Sequence, residues 1–194
     1  MKIKFYYLTS ILSLILTSMS CEKDHEVVNI DRSLLVPLNI GNFWNYQISY
    51  YDSLKNILRI DSNKITVTGD TIINNQLWYK IDFGGRIAPV AYRNTVEGLF
   101  QHDFSNASYL LFKYPIRLGE VYNSTKVIST NEIINVPAGN FSCINYQHNH
   151  LNFKYSTLIS PGIGFIKFDI GTAINGGQLY ISEIWKLVDY NIRY

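Results

Sequence analysis

From Asn42 to the end of the chain, apolar and polar positions alternate with a period of two, in short runs, rather than with the longer period of a helix face. β-Branched and aromatic residues fill the runs, and Gly, Asn, Asp or Pro stand between them. The spacing predicts strands over residues 43–51, 57–73, 77–83, 87–92, 98–103, 109–114, 121–130, 141–148, 153–159, 164–170 and 179–190. Breaks fall at Asn74-Asn75, Gly84-Gly85, Asn94, Gly119, residues 137–140, Pro161-Gly162 and Gly176-Gly177. The expected fold class is all-β, an antiparallel meander of about ten strands forming a sandwich or a half-closed barrel. The last run is apolar on both faces: Leu179, Ile181, Trp185 and Leu187 alternate with Tyr180, Ile184, Val188 and Tyr190. Such a strand lies centrally in a sandwich or lines a cavity, so an apolar-ligand carrier with a β cavity is kept open.

The first residues follow a different plan. Lys2 and Lys4 precede an apolar run from Phe5 to Leu16, then Thr17, Ser18 and Ser20, which is the layout of a secretory signal. The run is shorter than the roughly 20 residues of a membrane span. Cys21 follows directly, where a lipoprotein signal peptidase would leave a new N-terminal cysteine for acylation. Ser20 suits that site, while Ser18 stands where an aliphatic residue is usual, and ordinary cleavage after Ser20 is the competing reading. The expected organisation is a signal peptide over residues 1–20, a lipidated Cys21 with a polar tether over 21–36, and one β domain over 37–194. Glu22 to Glu26 also look like the short export tag of surface-displayed lipoproteins. The expected location is the outer membrane, through a lipid anchor carrying two or three acyl chains of the palmitate kind. Surface exposure is left open.

Hydrophobic residues make up 47% and charged residues 16%, so the domain should fold rather than remain disordered. Removal of residues 1–20 lowers 17 basic residues to 15, against 15 acidic ones. A neutral chain without a basic cluster has no counterion-release drive, so nucleic acid is not an expected partner. With Cys21 acylated, Cys143 has no partner in the chain and reads as a small buried hydrophobe.

No nucleophile elbow, zinc-protease helix, phosphate loop or C-x-x-C pair is present, and no cofactor is expected. Gly162-Ile163-Gly164 lacks the third glycine and following helix of a dinucleotide loop and reads as a turn. His148 and His150, two apart on a strand, project from one face and are weak metal candidates that lack a third ligand. His102 beside Asp103 would need the fold to bring it near. Asp52-Ser53-Leu54 and Asp70-Thr71-Ile72 match a short acceptor pattern for O-glycosylation and also read as turn and strand. The acidic residues are few and scattered, which disfavours the facing carboxylates of glycoside hydrolysis.

Three stretches occur in a characteristic order: residues 37–46, PLNIGNFWNY; 136–141, VPAGNF; and 161–167, PGIGFIK. They resemble the P-L-x-x-G-N-x-W-x-Y, V-P-A-G-x-F and P-G-V-G-x-V-K signatures of a family of β-rich exported lipoproteins of Bacteroidetes-type bacteria. The resemblance implies location and fold and supplies no catalytic residues. The expected function is a membrane-anchored, non-enzymatic binding or structural module for a protein, glycan or apolar ligand. A hydrolase using scattered acids or the His148/His150 pair is the minor alternative.

Overall fold

The computed structural model of the chain describes residues 30–103, 107–150, 153–173 and 179–194. Twelve strands follow one another: β1 (Phe43–Tyr51), β2 (Ile57–Ile73), β3 (Gln76–Asp82), β4 (Val90–Thr95), β5 (Gly98–His102), β6 (Ser108–Lys113), β7 (Val121–Tyr122), β8 (Thr125–Val136), β9 (Gly139–His150), β10 (Phe153–Ser160), β11 (Gly164–Ala173) and β12 (Leu179–Asn191). They form one antiparallel sheet in the order β6-β5-β4-β3-β2-β1-β12-β11-β10-β9-β8-β7, a nearly closed barrel. The described residues contain no helix.

The alternation read from the sequence explains the strands. In β1, Trp44, Tyr46 and Ile48 are fully buried while Asn45, Gln47 and Ser49 point outward. On β2 the outward partners of those three are Lys64, Ser62 and Ile60. Beside β1 the outer face is thus mostly polar, with Ile60 the apolar exception at 57% exposed. Two hairpins turn on residue pairs with positive φ at both positions, Asn74-Asn75 (51° and 59°) and Asn123-Ser124 (42° and 64°). Both are two-residue loops whose left-handed backbone matches the twist of the flanking strands.

The ring closes in two ways. β1 and β12, far apart in sequence, pair along most of their length, with Ile48 opposite Trp185 and Gln47 opposite Lys186. Between β6 and β7 side chains replace the ladder. The Lys113 N–H donates to the Tyr122 hydroxyl (3.0 Å), the Tyr146 hydroxyl donates to the Lys113 carbonyl (2.8 Å), and Asn123 Nδ2 donates to the Leu110 carbonyl (3.1 Å). The β6 edge is thereby protected, as an open edge strand must be.

One interior serves the whole ring. Phe165 of β11 meets Trp44 of β1, Tyr92 of β4 and Phe112 of β6 at ring-centroid distances of 6.1, 6.5 and 6.2 Å, and Phe112 meets Tyr146 of β9 at 5.0 Å. Tyr46, Phe168 and Trp185 continue this layer, with centroids 5.6 to 5.8 Å apart. Aromatic pairs in these tilted geometries add about 0.5–1.5 kcal/mol each beyond their area burial.

The end where β1 begins is capped by the chain that precedes it. Leu35 and Val36, placed in the tether by sequence, are buried at 1% and 0%, and Leu38 at 3%. Their backbone is held to the barrel by Gly162 N–H to the Leu34 carbonyl (2.7 Å), Asn94 Nδ2 to the Val36 carbonyl (2.8 Å) and the Tyr114 hydroxyl to the Arg32 carbonyl (2.8 Å). The apolar Leu34-Leu35-Val36 run is the physical reason that the packed body starts ahead of Pro37.

The three signature stretches meet at this capped end. Trp44 Nε1 donates to the Ile163 carbonyl (2.7 Å) and the Tyr46 hydroxyl to the Phe165 carbonyl (2.8 Å), joining the first stretch to the third. Gly162 has φ +83°, and a Cβ there would lie 2.5 Å from Ile30 Cγ2, so only glycine lets the capping segment approach. In the middle stretch the Ala138 N–H donates to the Leu187 carbonyl (3.1 Å) and Phe141 packs edge-on against Tyr190. Asn42, fully buried, ties all of this to the C-terminus. Its Nδ2 donates to the carbonyls of Pro37 (3.2 Å) and Arg193 (3.1 Å), and its Oδ1 accepts from Arg193 N–H (2.8 Å).

Candidate functional site

The opposite end carries the loops 52–56 and 83–89, the starts of β10 and β12, and the end of β9. Because the interior layer is apolar, the polar groups that face inward here must find partners or water. Arg86, on the Gly84-Gly85 loop, reaches across the mouth. Its guanidinium bonds the Tyr50 hydroxyl, lies 3.4 Å from Asp61 and 3.9 Å from Glu183, and sits 4.9 Å above the Trp185 ring. Trp185 Nε1 in turn donates to Glu183 (3.1 Å). Asp61 and Glu183 flank β1 on either side, with Asp61 opposite Ile48 and Glu183 opposite Tyr50. The fold thus brings together two acids 122 positions apart, and it places an arginine between them, so both carboxylates serve as ion-pair partners. Nothing in the local sequence around either acid marks them; the glycine pair before Arg86 is the only hint.

A second feature is a depression of about 220 Å³ lined by Tyr109, Phe112, Asn123, Thr125, Tyr146, His148 and Tyr155. His148 Nδ1 lies 3.2 Å from Thr125 Oγ1, and its ring stacks on Tyr155 at 4.8 Å. The Tyr92 hydroxyl is pushed well above its ordinary pKa, first by burial and then by the neighbouring Tyr109 and Tyr155. His150 stands opposite Phe153 in the ladder, two positions beyond His148, and its side chain lies outside the described residues. His102 is on the opposite sheet face from Tyr92, with Nδ1 2.9 Å from Ser108 Oγ and its ring against Trp78. Asp103 Oδ1 accepts the Ala107 N–H within its own loop. Among the described residues no group of three or more His, Cys, Asp or Glu side chains is placed to hold a metal ion.

The remaining sequence candidates find places too. Cys21 lies outside the described residues. Cys143 is fully buried, and burial, reinforced by Glu132, pushes its thiol up to about 12. It is therefore a protonated packing residue at neutral pH. Asp52 builds its own loop: its carboxylate accepts the N–H groups of Leu54 (2.9 Å) and Asn56 (2.8 Å) and is held below the usual range by Asn56. Ser53 is exposed on that loop, whereas Thr71 lies within the β2–β3 ladder opposite Trp78. The aromatic layer fills the centre that an interior carrier ligand would need. Hollows larger than the His148 depression include about 830 Å³ against the 115–120 loop, about 530 Å³ beneath Ile30 and Arg32 at the cap and about 620 Å³ beside Tyr51 and Leu179 at the opposite end.

The arrangement defines a class, a single meander barrel capped by its own N-terminal segment. No family model matches the chain, and no curated protein matches it. Among solved structures, a candidate lipoprotein from Parabacteroides distasonis aligns with a TM-score of 0.54 and 12% identity, over 83% of this chain and 100% of that one. A candidate exported protein with a YmcC-like fold from Bacteroides fragilis aligns at 0.49 and 12% identity, over 81% and 99%. The first likeness shows a shared fold.

Proposed function

We propose that this chain is an exported envelope lipoprotein, lipidated at Cys21, whose barrel is a non-catalytic binding or structural module. The observation that carries the reading is Cys21 itself, standing directly behind a charged-then-apolar leader. The barrel's likeness to the Parabacteroides distasonis protein supports it. So do the side chains with catalytic chemistry: Arg86 is spent on Asp61 and Glu183, and the Cys143 thiol is buried and protonated. Nine steps of chain separate Cys21 from Ile30, so the tether reaches at most about 30 Å before the cap begins. Entry at the capped end turns the opposite end, with its tyrosines, Arg86 and apolar groove, away from the bilayer.

Fractionation of cells producing the full chain tests the anchor. The wild type should sediment with membranes and Cys21→Ser should appear in the soluble fraction; equal partition of both overturns it. The purified full chain should turn over none of a panel of esterase, glycosidase and phosphatase substrates. Turnover that Asp61→Asn or Glu183→Gln abolishes would replace the binding reading with a hydrolase.

A further inference from the structure

The groove of about 620 Å³ at the end opposite the cap combines an apolar floor with two lysines, Lys55 and Lys154. Its lining comes from three places: Tyr51 at the end of β1 with Ser53 and Lys55 on the β1–β2 loop, Lys154 and Gly171 near the ends of β10 and β11, and Leu179, Tyr180, Ile181 and Ile184 on β12. Leu179 and Ile181 keep 41% and 40% of their surface exposed. On the hairpin that supplies Ser53 and Lys55, Leu54, Ile57 and Leu58 are also 79%, 57% and 66% exposed. A cluster of this kind is a binding surface rather than the scatter of single apolar residues that any protein shows. Gly171, buried between Lys154 and Tyr180, contributes no side chain; a Cβ there would meet two backbone oxygens at 3.1 and 3.2 Å.

The charge on the rim selects among apolar occupants. Neither Lys55 nor Lys154 has an ion-pair partner among the described residues. Asp52, on the same loop as Lys55, is engaged by Leu54 and Asn56, and Asp169, opposite Ile184 in the ladder, is paired with Lys167 at 2.7 Å. Glu183, on the neighbouring stretch of β12, is committed to Arg86 and Trp185. The volume is that of a site for one small molecule, within the roughly 300–1,000 Å³ of ordinary ligand pockets, and not that of a surface for a bilayer.

The geometry points to a binding site for a free, single-chain anionic amphiphile, with its acyl chain on Tyr51, Leu179, Ile181 and Ile184 and its carboxylate between Lys55 and Lys154. This names a ligand class for the binding module proposed above and rests on that reading. The ligand is held on the outside of the mouth, which reconciles apolar-ligand binding with a barrel whose centre is filled by aromatic rings.

Photo-cross-linking tests it with the full chain in zwitterionic vesicles and three diazirine probes of equal chain length: a fatty acid, the matching fatty alcohol and a phosphatidylglycerol. Peptide mass spectrometry locates the adducts. The fatty acid should label peptides containing residues 51–55, 154 and 179–184, at least about fivefold more than the alcohol, and Lys55→Glu/Lys154→Glu should lower that labelling by about fivefold or more. Lys55 is exposed and Lys154 half-buried, and neither makes an ion pair among the described residues, so the double variant keeps its fold; Ser53→Trp, which fills the groove without changing charge, should lower labelling as well. Equal labelling by acid and alcohol, adducts confined elsewhere, or groove adducts from the phospholipid alone each overturn the proposal. Loss of the anchor leaves this result untouched, since the same probes can be applied to an unlipidated chain.

Discussion

Replacing Asn42 with alanine removes the side chain that joins the start of the domain to its end. Three hydrogen bonds go with it: two from Nδ2 to Pro37 and Arg193 and one to Oδ1 from Arg193. A buried hydrogen bond contributes about 1 kcal/mol net, and an orphaned buried partner costs about 1–3 kcal/mol. The Pro37 bond is buried, and the Arg193 bonds lie near the surface where water can replace part of them. The expected loss is therefore about 2–3 kcal/mol, or roughly 5–10 °C in Tm for a domain of this size. The backbone bonds of Asn42 to Asn39 and Val67 survive the substitution, so the turn itself should persist. Urea and thermal unfolding of the purified chain measure the loss, with Asn135→Ala as a control; its partner Asn140 is reached at an exposed turn, and its effect should stay within about 0.5 kcal/mol. Asn42→Asp adds a pH axis. The new carboxylate would face two carbonyl oxygens, which raises its folded pKa above the unfolded value of about 3.9. A group shifted that way stabilises most below the unfolded pKa, so the variant should lose stability as pH rises through 4 and beyond. An Asn42→Ala loss no larger than that of Asn135→Ala, or an Asn42→Asp variant whose stability rises with pH, would refute the clamp.

Gly162→Ala should cost distinctly more than Gly41→Ala. Both glycines have positive φ, but only the Gly162 methyl would strike Ile30 and Asp31, so limited proteolysis should release the 30–38 segment from the Gly162 variant alone. Tyr122→Phe removes the acceptor for the Lys113 N–H at the seam, and hydrogen exchange at Lys113 should quicken while that of Ile48 in β1 is unchanged. Cys143 should resist alkylation at pH 8 until denaturant is added. Because its folded pKa is raised to about 12, stability should decline as pH climbs above the unfolded thiol value of about 8.5; rapid labelling of the native chain would contradict its burial.

Much of the fold was legible because the period of two is strong wherever one face is buried. β1 and β2 begin and end where the alternation predicted, the eleven expected strands all have counterparts, and about ten strands in a meander became twelve. The expected strand over 121–130 is two strands, because Asn123 and Ser124 both adopt positive φ, and Asn-Ser is a weaker turn signal than Asn-Gly. The strand expected from Ile87 begins at Val90, since Pro89 cannot donate to a ladder and Arg86 is drawn into the mouth by Asp61 and Tyr50. Barrel and sandwich could not be told apart because closure depends on β1 meeting β12 and on three side chains bridging β6 to the β7–β9 region, contacts with no local signature. The cap was missed for a related reason: Leu35 and Val36 follow a polar stretch and are buried only by partners such as Gly162, far along the chain. The polar cluster at the mouth was invisible for the same cause, Asp61, Arg86 and Glu183 being ordinary surface residues until the sheet curls.

The intact mass of the chain extracted from native membranes, beside Cys21→Ser, tests the central claim most directly. A chain that begins at Cys21 and carries the added mass of two or three acyl groups, absent from the variant, is the result the lipoprotein reading predicts. An unacylated chain beginning at Cys21 or elsewhere would contradict it, leaving an exported barrel with no lipid to orient its groove.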